Sequence, residues 1–318
     1  MFKSPVFLIA LALSAAVVAG VYKWVDEKGI THISNEPPFG EKKAEESKQN
    51  QQGPDEETTL REAEAAFNAN DGAKALALLK PLAERSNPRA QNGVGLIYGQ
   101  GLGVPKDLRE SFKWHEKAAR QGYGLAQYYL GLMFADGEGV PRDAVKGAEW
   151  IRKAAEQGIP VAQFTLGVMY VKGEGVEKDS RRAAEWYRKA AEQGHAFAQH
   201  NLALMYADGE GVPQDKDEAL RWEQKSAELG DPNAQYRLGS LYAKGEGVPQ
   251  DYEEAFKWVR KSAEQGYPQA QYTLGFMYVN GQGVEKDIGE AVIWLRKAAD
   301  QGVDEARSLL EQIEAESQ

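Results

Sequence analysis

The stretch Ala126-Gln127-Tyr128-Tyr129-Leu130-Gly131-Leu132-Met133-Phe134-Ala135-Asp136-Gly137-Glu138-Gly139-Val140 decides the fold. Ala126, Leu130 and Phe134 are spaced by four, which puts them on one helical face with Gly131 beside it. The glycines at 137 and 139 then end the helix. The opening pair recurs every 36 residues, at Ala90-Gln91, Ala162-Gln163, Ala198-Gln199, Ala234-Gln235 and Ala270-Gln271, and closes on Ala306-Arg307. A fixed period of this length marks a solenoid, whose units bury their apolar faces only against their neighbours.

Within the unit, most residues have a structural reading. The position of Gly131 holds Gly95, Gly167, Ala203, Gly239 and Gly275 elsewhere. Glycine costs about 1 kcal/mol against alanine inside a helix, so small residues in register predict close approach by a neighbouring helix. Each loop ends at an aspartate: Asp107, Asp143, Asp179, Asp215, Asp251 or Asp287. Glu110, Glu218, Glu254 and Glu290 follow three residues on, at a capping-box spacing. The second helix carries Trp114, Trp150, Trp186, Trp222, Trp258 and Trp294, with Ala118 and its equivalents four residues later on the same face. Gln-Gly, or Leu229-Gly230, stops that helix with a residue that tolerates a left-handed cap. The unit is thus a helix of about 12 residues, a glycine turn and a helix of about 15.

The whole chain has 318 residues, a formal net charge of −10 and no cysteine. The charge disfavours a nucleic-acid partner. The absence of cysteine excludes disulfides and thiolate metal sites and leaves the redox compartment open. Lys3 followed by an apolar run from Val6 to Ala19 fits a secretory signal peptide over 1–20. The run is short for a spanning helix, which needs roughly 20 apolar residues. Export to the periplasm or medium is therefore expected, with no membrane span after cleavage; an uncleaved inner-membrane anchor is the alternative. Residues 21–38 hold two short β-prone segments, Tyr22-Lys23-Trp24-Val25 and Ile30-Thr31-His32-Ile33, and read as a small hairpin. Residues 39–57 are rich in Glu, Lys and Gln and read as a flexible linker. Residues 58–87 give a helix pair without the long glycine loop, as expected of an N-terminal cap. Six 36-residue repeats follow over 88–302, and a C-terminal capping helix over 303–318. The fold expected is all-α: an α/α solenoid, a right-handed superhelix of helix-turn-helix repeats, with the short N-terminal β-hairpin.

The pattern Ala-Gln-x-x-Leu-Gly-x-Met-Tyr-x-x-Gly-x-Gly-Val-x-x-Asp-x-x-x-Ala-x-x-Trp-x-x-Lys-Ala-Ala-Glu-Gln-Gly resembles the Sel1-like repeat, a relative of the tetratricopeptide repeat, over residues 88–307. Ala203 and Phe134 depart from it, and the per-repeat disulfide of some secreted members is missing. The resemblance implies an adaptor that assembles or regulates complexes, often at the bacterial envelope. Tyr-x-Trp-x-Asp-x-x-Gly and Pro37-Pro38, within 21–38, resemble the start of a domain of unknown function common in exported proteobacterial proteins, and imply no activity.

Signs of chemistry do not survive inspection. The Gly-x-Gly-Val loops follow helices, whereas phosphate-binding loops follow strands, and no Gly-Lys dipeptide occurs. The acidic loops lack the ligand spacing of a calcium site. His195 and His200 are five apart, and no His-Glu-x-x-His motif exists. No Ser has Lys three residues on, and neither Lys-Thr-Gly nor Gly-x-Ser-x-Gly occurs, so the acyl-transfer motifs are missing. The tryptophan stripe has the period of the repeat, and core packing accounts for it. No catalytic, metal or cofactor-binding residue is assigned, and no enzyme activity is expected.

Binding residues are sought where repeats disagree. The fourth position of the first helix, counting from the Ala of Ala-Gln, holds Gly93, Tyr129, Thr165, Asn201, Arg237 and Thr273. The eleventh holds Gln100, Asp136, Lys172, Asp208, Lys244 and Asn280. First helices line the concave face of tetratricopeptide-like solenoids, so Tyr129, Thr165, Asn201, Arg237, Thr273, Asp136, Lys172, Asp208 and Lys244 are the candidate partner-binding residues. Tyr129 and Arg237 stand out, because Tyr and Arg are favoured anchors. The function expected is a non-catalytic exported scaffold for a protein or peptide partner. The alternative is an envelope enzyme or binder acting on peptidoglycan or β-lactams, with Tyr128, Tyr129, Phe164, Tyr236 and Tyr272 as a glycan-binding set.

Overall fold

The computed structural model describes residues 22–25, 31–34 and 55–316. The signal peptide expected over 1–20 and residues 39–54 of the linker expected over 39–57 lie outside the described residues. Within the expected hairpin, Tyr22–Val25 (β1) pairs antiparallel with Thr31–Ser34 (β2), Tyr22 opposite Ser34 and Val25 opposite Thr31.

The chain divides into two compact units, Met1–Lys178 and Asp179–Gln318. The first holds α1 (Glu56–Asn68), α2 (Gly72–Glu84), α3 (Pro88–Gln100), α4 (Leu108–Arg120), α5 (Gly124–Asp136), α6 (Ala144–Glu156) and α7 (Pro160–Lys172). The second holds α8 (Ser180–Glu192), α9 (Ala196–Asp208), α10 (Lys216–Glu228), α11 (Pro232–Lys244), α12 (Tyr252–Glu264), α13 (Pro268–Asn280), α14 (Ile288–Asp300) and α15 (Asp304–Glu316). Inside each unit every helix packs on its sequence neighbours, the arrangement of an α/α solenoid. First and second helices are each 13 residues long, so the second is shorter than its pattern suggests. α1 begins at Glu56, inside the stretch expected to be linker.

Close approach occurs where the small residues recur. A Cβ on Gly131 would stand 2.6 Å from Cγ1 of Ile151 and 2.8 Å from the Gly147 carbonyl oxygen. Only a residue without a side chain lets α5 and α6 meet at that point. The second loop glycine has a further duty. Gly139 has φ +71°, and a Cβ there would fall 2.2 Å from the Leu108 carbonyl oxygen, at the first turn of the preceding repeat's second helix.

The loop aspartates cap the second helices, as at Asp107, which accepts from the N–H groups of Arg109 (2.9 Å) and Glu110 (3.0 Å). The reciprocal half of a capping box is already occupied. The Asp107 N–H donates to the Tyr98 carbonyl at 2.9 Å, and Asp215, Asp251 and Asp287 donate likewise to Tyr206, Tyr242 and Tyr278. The glutamates instead pair forward along the helix: Glu110 with Lys113, Glu218 with Arg221 and Glu254 with Lys257, while Glu290 accepts from Trp294 Nε1.

The tryptophans are packing residues with one face turned to a cation. In all six repeats the Lys three residues on, from Lys117 to Lys297, places Nζ 3.9–4.3 Å from the ring centroid. The stem of that Lys covers apolar ring surface while its head stays wet.

The recurring glutamine is structural as well. Gln91, Gln127, Gln163, Gln199, Gln235 and Gln271 each donate Nε2 to the alanine carbonyl eight residues earlier, at 3.0–3.2 Å, as a second donor to a carbonyl that also accepts a backbone N–H at the end of the preceding helix. Its Oε1 accepts from the glutamine that ends the next second helix: Gln121 to Gln91, Gln157 to Gln127, Gln265 to Gln235 and Gln301 to Gln271, at 2.7–2.8 Å. Leu229 occupies the donor position opposite Gln199, and Gln199 Oε1 is buried without a partner.

Candidate functional site

The fourth-position row is half-buried in every repeat. Tyr129, Asn201 and Arg237 each meet the residue fourteen positions earlier, on the preceding second helix. Tyr129 stacks on His115, centroids 5.2 Å apart and planes at 28°. Burial pushes the Tyr129 hydroxyl up to about 12 and the His115 imidazole down to about 3, so both are neutral. Asn201 meets the buried Tyr187 hydroxyl, and Arg237 Nε lies 3.7 Å from Glu223 Oε2. Thr165 donates to the Val161 carbonyl at 2.8 Å, beside the buried Tyr128 hydroxyl. Thr273 is half-buried. At Tyr129, Asn201 and Arg237, differences along this row are therefore matched to differences on the facing helix.

The eleventh-position candidates Asp136, Lys172, Asp208 and Lys244 are exposed. In the first unit Asp136 and Lys172 are brought together. The Asp136 carboxyl is held above its usual range by partial burial and by Glu138 and Glu174, against the opposing pull of Arg142 and Lys172. Of the glycan-binding set, Tyr128 and Phe164 are 2% and 5% exposed, which makes them core. Tyr236 and Tyr272 are half-buried, Tyr236 against Tyr267 at 5.4 Å.

Two further positions carry polar pairs in two repeats and apolar or aromatic residues in others. Buried His115 Nδ1 lies 3.1 Å from Asn92 Oδ1. One hundred and eight residues on, His200 Nδ1 lies 2.9 Å from Glu223 Oε1, with Arg237 as a third member. Burial disfavours the His200 imidazolium, but the Glu223 charge and hydrogen bond, with Asp231, outweigh it and raise the pKa. The equivalent positions hold Tyr128 with Ile151, Tyr236 with Val259 and Tyr272 with Leu295.

The first unit also has a cleft of about 90 Å³, open to solvent. Leu60, Ala63 and Phe67 of α1, Leu79 of α2, Leu96 of α3 and Leu125 of α5 form its apolar walls. Tyr123 and Tyr129 add aromatic surface, Glu64 and Arg89 stand at the rim, and Asn92 and Gly93 complete it. Of the nine candidate residues, Tyr129 is the one that lines the cleft. Gly93 was visible in the variable row, but a residue without a side chain carries no recognition signal. No cluster of His, Asp and Glu able to hold a metal ion occurs among the described residues. No helix among them is long and apolar enough to cross a membrane.

The family model of the Sel1 repeat matches six consecutive segments, 88–123, 124–159, 160–195, 196–231, 232–267 and 268–303. The chain belongs to the Sel1 repeat family. A domain of unknown function, DUF4124, matches residues 8–66. The crystal structure of a Sel1 repeat protein from Oxalobacter formigenes is 40% identical, with 81% of this chain and 76% of that one covered and a TM-score of 0.71. A second structure is c5321, a protective antigen present in uropathogenic Escherichia coli strains that displays an SLR fold. It is 39% identical with a TM-score of 0.70, and the match covers 75% of this chain and 51% of that one, about half its length. A comparison with functionally curated proteins gives no match. Sel1 repeat proteins are generally protein–protein interaction scaffolds and typically non-catalytic, and the repeats of this chain point to protein partners.

Proposed function

We propose that this Sel1 repeat protein is an exported scaffold of the bacterial envelope, binding a protein partner along the first helices of its repeats. The observation that carries the reading is a division of labour within those helices. Apolar positions and the Ala-Gln pair are consumed by packing, whereas Asp136, Lys172, Asp208 and Lys244 stand exposed at one recurring position with alternating charge. Within each unit an exposed Asp–Lys pair of this kind selects partners through charge complementarity more than through buried area. The apolar run at 6–19 behind Lys3 supports export.

The test has two arms. Amino-terminal sequencing of protein from the periplasmic fraction is expected to begin near residue 21. In the native envelope, crosslinking followed by mass spectrometry is expected to recover a protein partner from wild type. The Asp136→Ala/Lys172→Ala/Asp208→Ala/Lys244→Ala variant, whose changes are all exposed, should fold normally and lose that partner. An unchanged partner spectrum, or recovery of protein from the cytoplasm only, refutes the reading.

A further inference from the structure

We infer that the Gly93 cleft of the first unit is a site for one uncharged, extended peptide segment, taking a large apolar side chain and the backbone carbonyl beside it. The inference rests on the scaffold reading and names the chemistry of one contact.

Three observations carry it. Gly93 stands where the other repeats place Tyr129, Thr165, Asn201, Arg237 and Thr273, so this repeat alone has no side chain at the row position. Cδ1 of Leu79 lies 2.6 Å from where a Gly93 Cβ would be, so a side chain there would displace Leu79 and reshape this wall of the cleft. Apart from Asn92 and the rim pair Glu64 and Arg89, the walls are leucine, alanine and phenylalanine carbons and the rings of Tyr123 and Tyr129, a lining that favours an apolar group.

Second, Asn92 lines this cleft and is 5% exposed. The neutral His115 ring donates Nδ1–H to its Oδ1 at 3.1 Å, which leaves the Nδ2 amide without an acceptor among the described residues. An amide donor that faces an open cleft with no protein acceptor is a defined polar anchor, since a ligand carbonyl can take its N–H.

Third, the rim is already neutralised. Arg89 donates to Glu64 at 3.1 Å and to Glu57 at 3.4 Å, so neither a carboxylate nor an ammonium on the ligand would find a free counter-charge there. A neutral acceptor next to an apolar side chain satisfies walls, anchor and rim together, and an internal peptide residue such as leucine has that combination.

The experiment uses the purified protein and a capped photo-leucine peptide, N-acetyl-Gly-photoleucine-Gly-amide, with crosslinks mapped by mass spectrometry. Crosslinks are expected on residues 60–67, 79 and 89–96. Gly93→Thr, which installs the residue of two other repeats, should lower them at least tenfold. Asn92→Asp accepts from His115 but offers no donor, and it should lower them comparably; its folding does not depend on the Leu79 shift. Crosslinks elsewhere, equal yields in both variants, or a cleft occupied by a second copy or by residues 22–34 of the same chain would overturn the inference. Loss of the peptide site with envelope partners retained would overturn this contact and leave the scaffold reading standing. Peptide binding at the cleft with no envelope partner recovered would do the reverse.

Discussion

Replacing Leu229 by glutamine should make the protein more stable, although it inserts a polar residue for an apolar one. Four repeats show the interaction to be restored, a glutamine amide donating to the Ala-Gln glutamine at 2.7–2.8 Å. Gln265 and Gln301 also donate to the carbonyls of Gly230 and Gly266, at 2.9 and 3.1 Å. By that geometry Leu229→Gln would reach Gln199 Oε1 and the Gly194 carbonyl. Leu229 is 42% exposed, so its loss forfeits about 1 kcal/mol of apolar burial. A new hydrogen bond returns about 1 kcal/mol, and relief of a buried unpaired acceptor another 1–3 kcal/mol, roughly. The balance is about 1–3 kcal/mol in favour of the variant, or roughly 2–12 °C in Tm for a unit of this size. Urea denaturation followed by circular dichroism reads it as a higher midpoint at unchanged slope. The mirror change, Gln265→Leu, should cost a similar amount. If Leu229→Gln lowers the midpoint while Gln265→Leu leaves it alone, the glutamine ladder is not a stabilising element.

Three other outcomes follow from the same packing. Lys153→Ala, which uncovers Trp150, should cost about 0.5–1 kcal/mol, and Lys153→Arg should retain most of it, as read by thermal melts. Glu223→Val alone strands buried His200 and half-exposed Arg237 and should cost about 3–5 kcal/mol, whereas His200→Tyr/Glu223→Val/Arg237→Thr, a copy of Tyr236, Val259 and Thr273, should be near wild type or better. His115 is held neutral with its pKa near 3, against about 6.5 in the unfolded chain, so its contribution is complete above that pH and shrinks as pH falls. Between pH 6.5 and 5 wild type should lose about 2 kcal/mol that His115→Leu does not lose. His200 works in the opposite sense, since its raised pKa favours the folded state at low pH and that benefit fades as pH rises. A wild-type profile parallel to that of His115→Leu would contradict the assignment.

What could be read from the sequence was whatever the period repeats. Gly131 and its equivalents announced close helix contact, and the loop aspartates announced caps, because one physical demand acts at the same offset each time. The capping box failed for a reason outside any local window: the amide it needs is taken by the Tyr98 carbonyl, on the far side of the loop. The variable row was legible as variable and not as matched. Tyr129 answers His115, and Arg237 answers Glu223, across a helix–helix contact that spacing within one helix does not reveal. Leu229 was visibly the odd residue at its position, yet only the geometry shows that Gln199 is left waiting for it. Gly93 shaped the cleft by lacking atoms, and absence leaves no pattern to find.

The second loop glycine has a consequence for how such chains can change length. Gly139 rests against the Leu108 carbonyl, and Gly175, Gly211 and Gly283 rest likewise on those of Ala144, Ser180 and Tyr252. The loop is thereby a ruler laid from one unit to the previous one. A residue inserted between the two glycines would lift the second off its mark and shift every helix after it. Copying a whole 36-residue segment leaves every such contact intact. Growth and loss by complete units, through duplication or recombination in register, is the kind of length change this architecture admits without repair elsewhere.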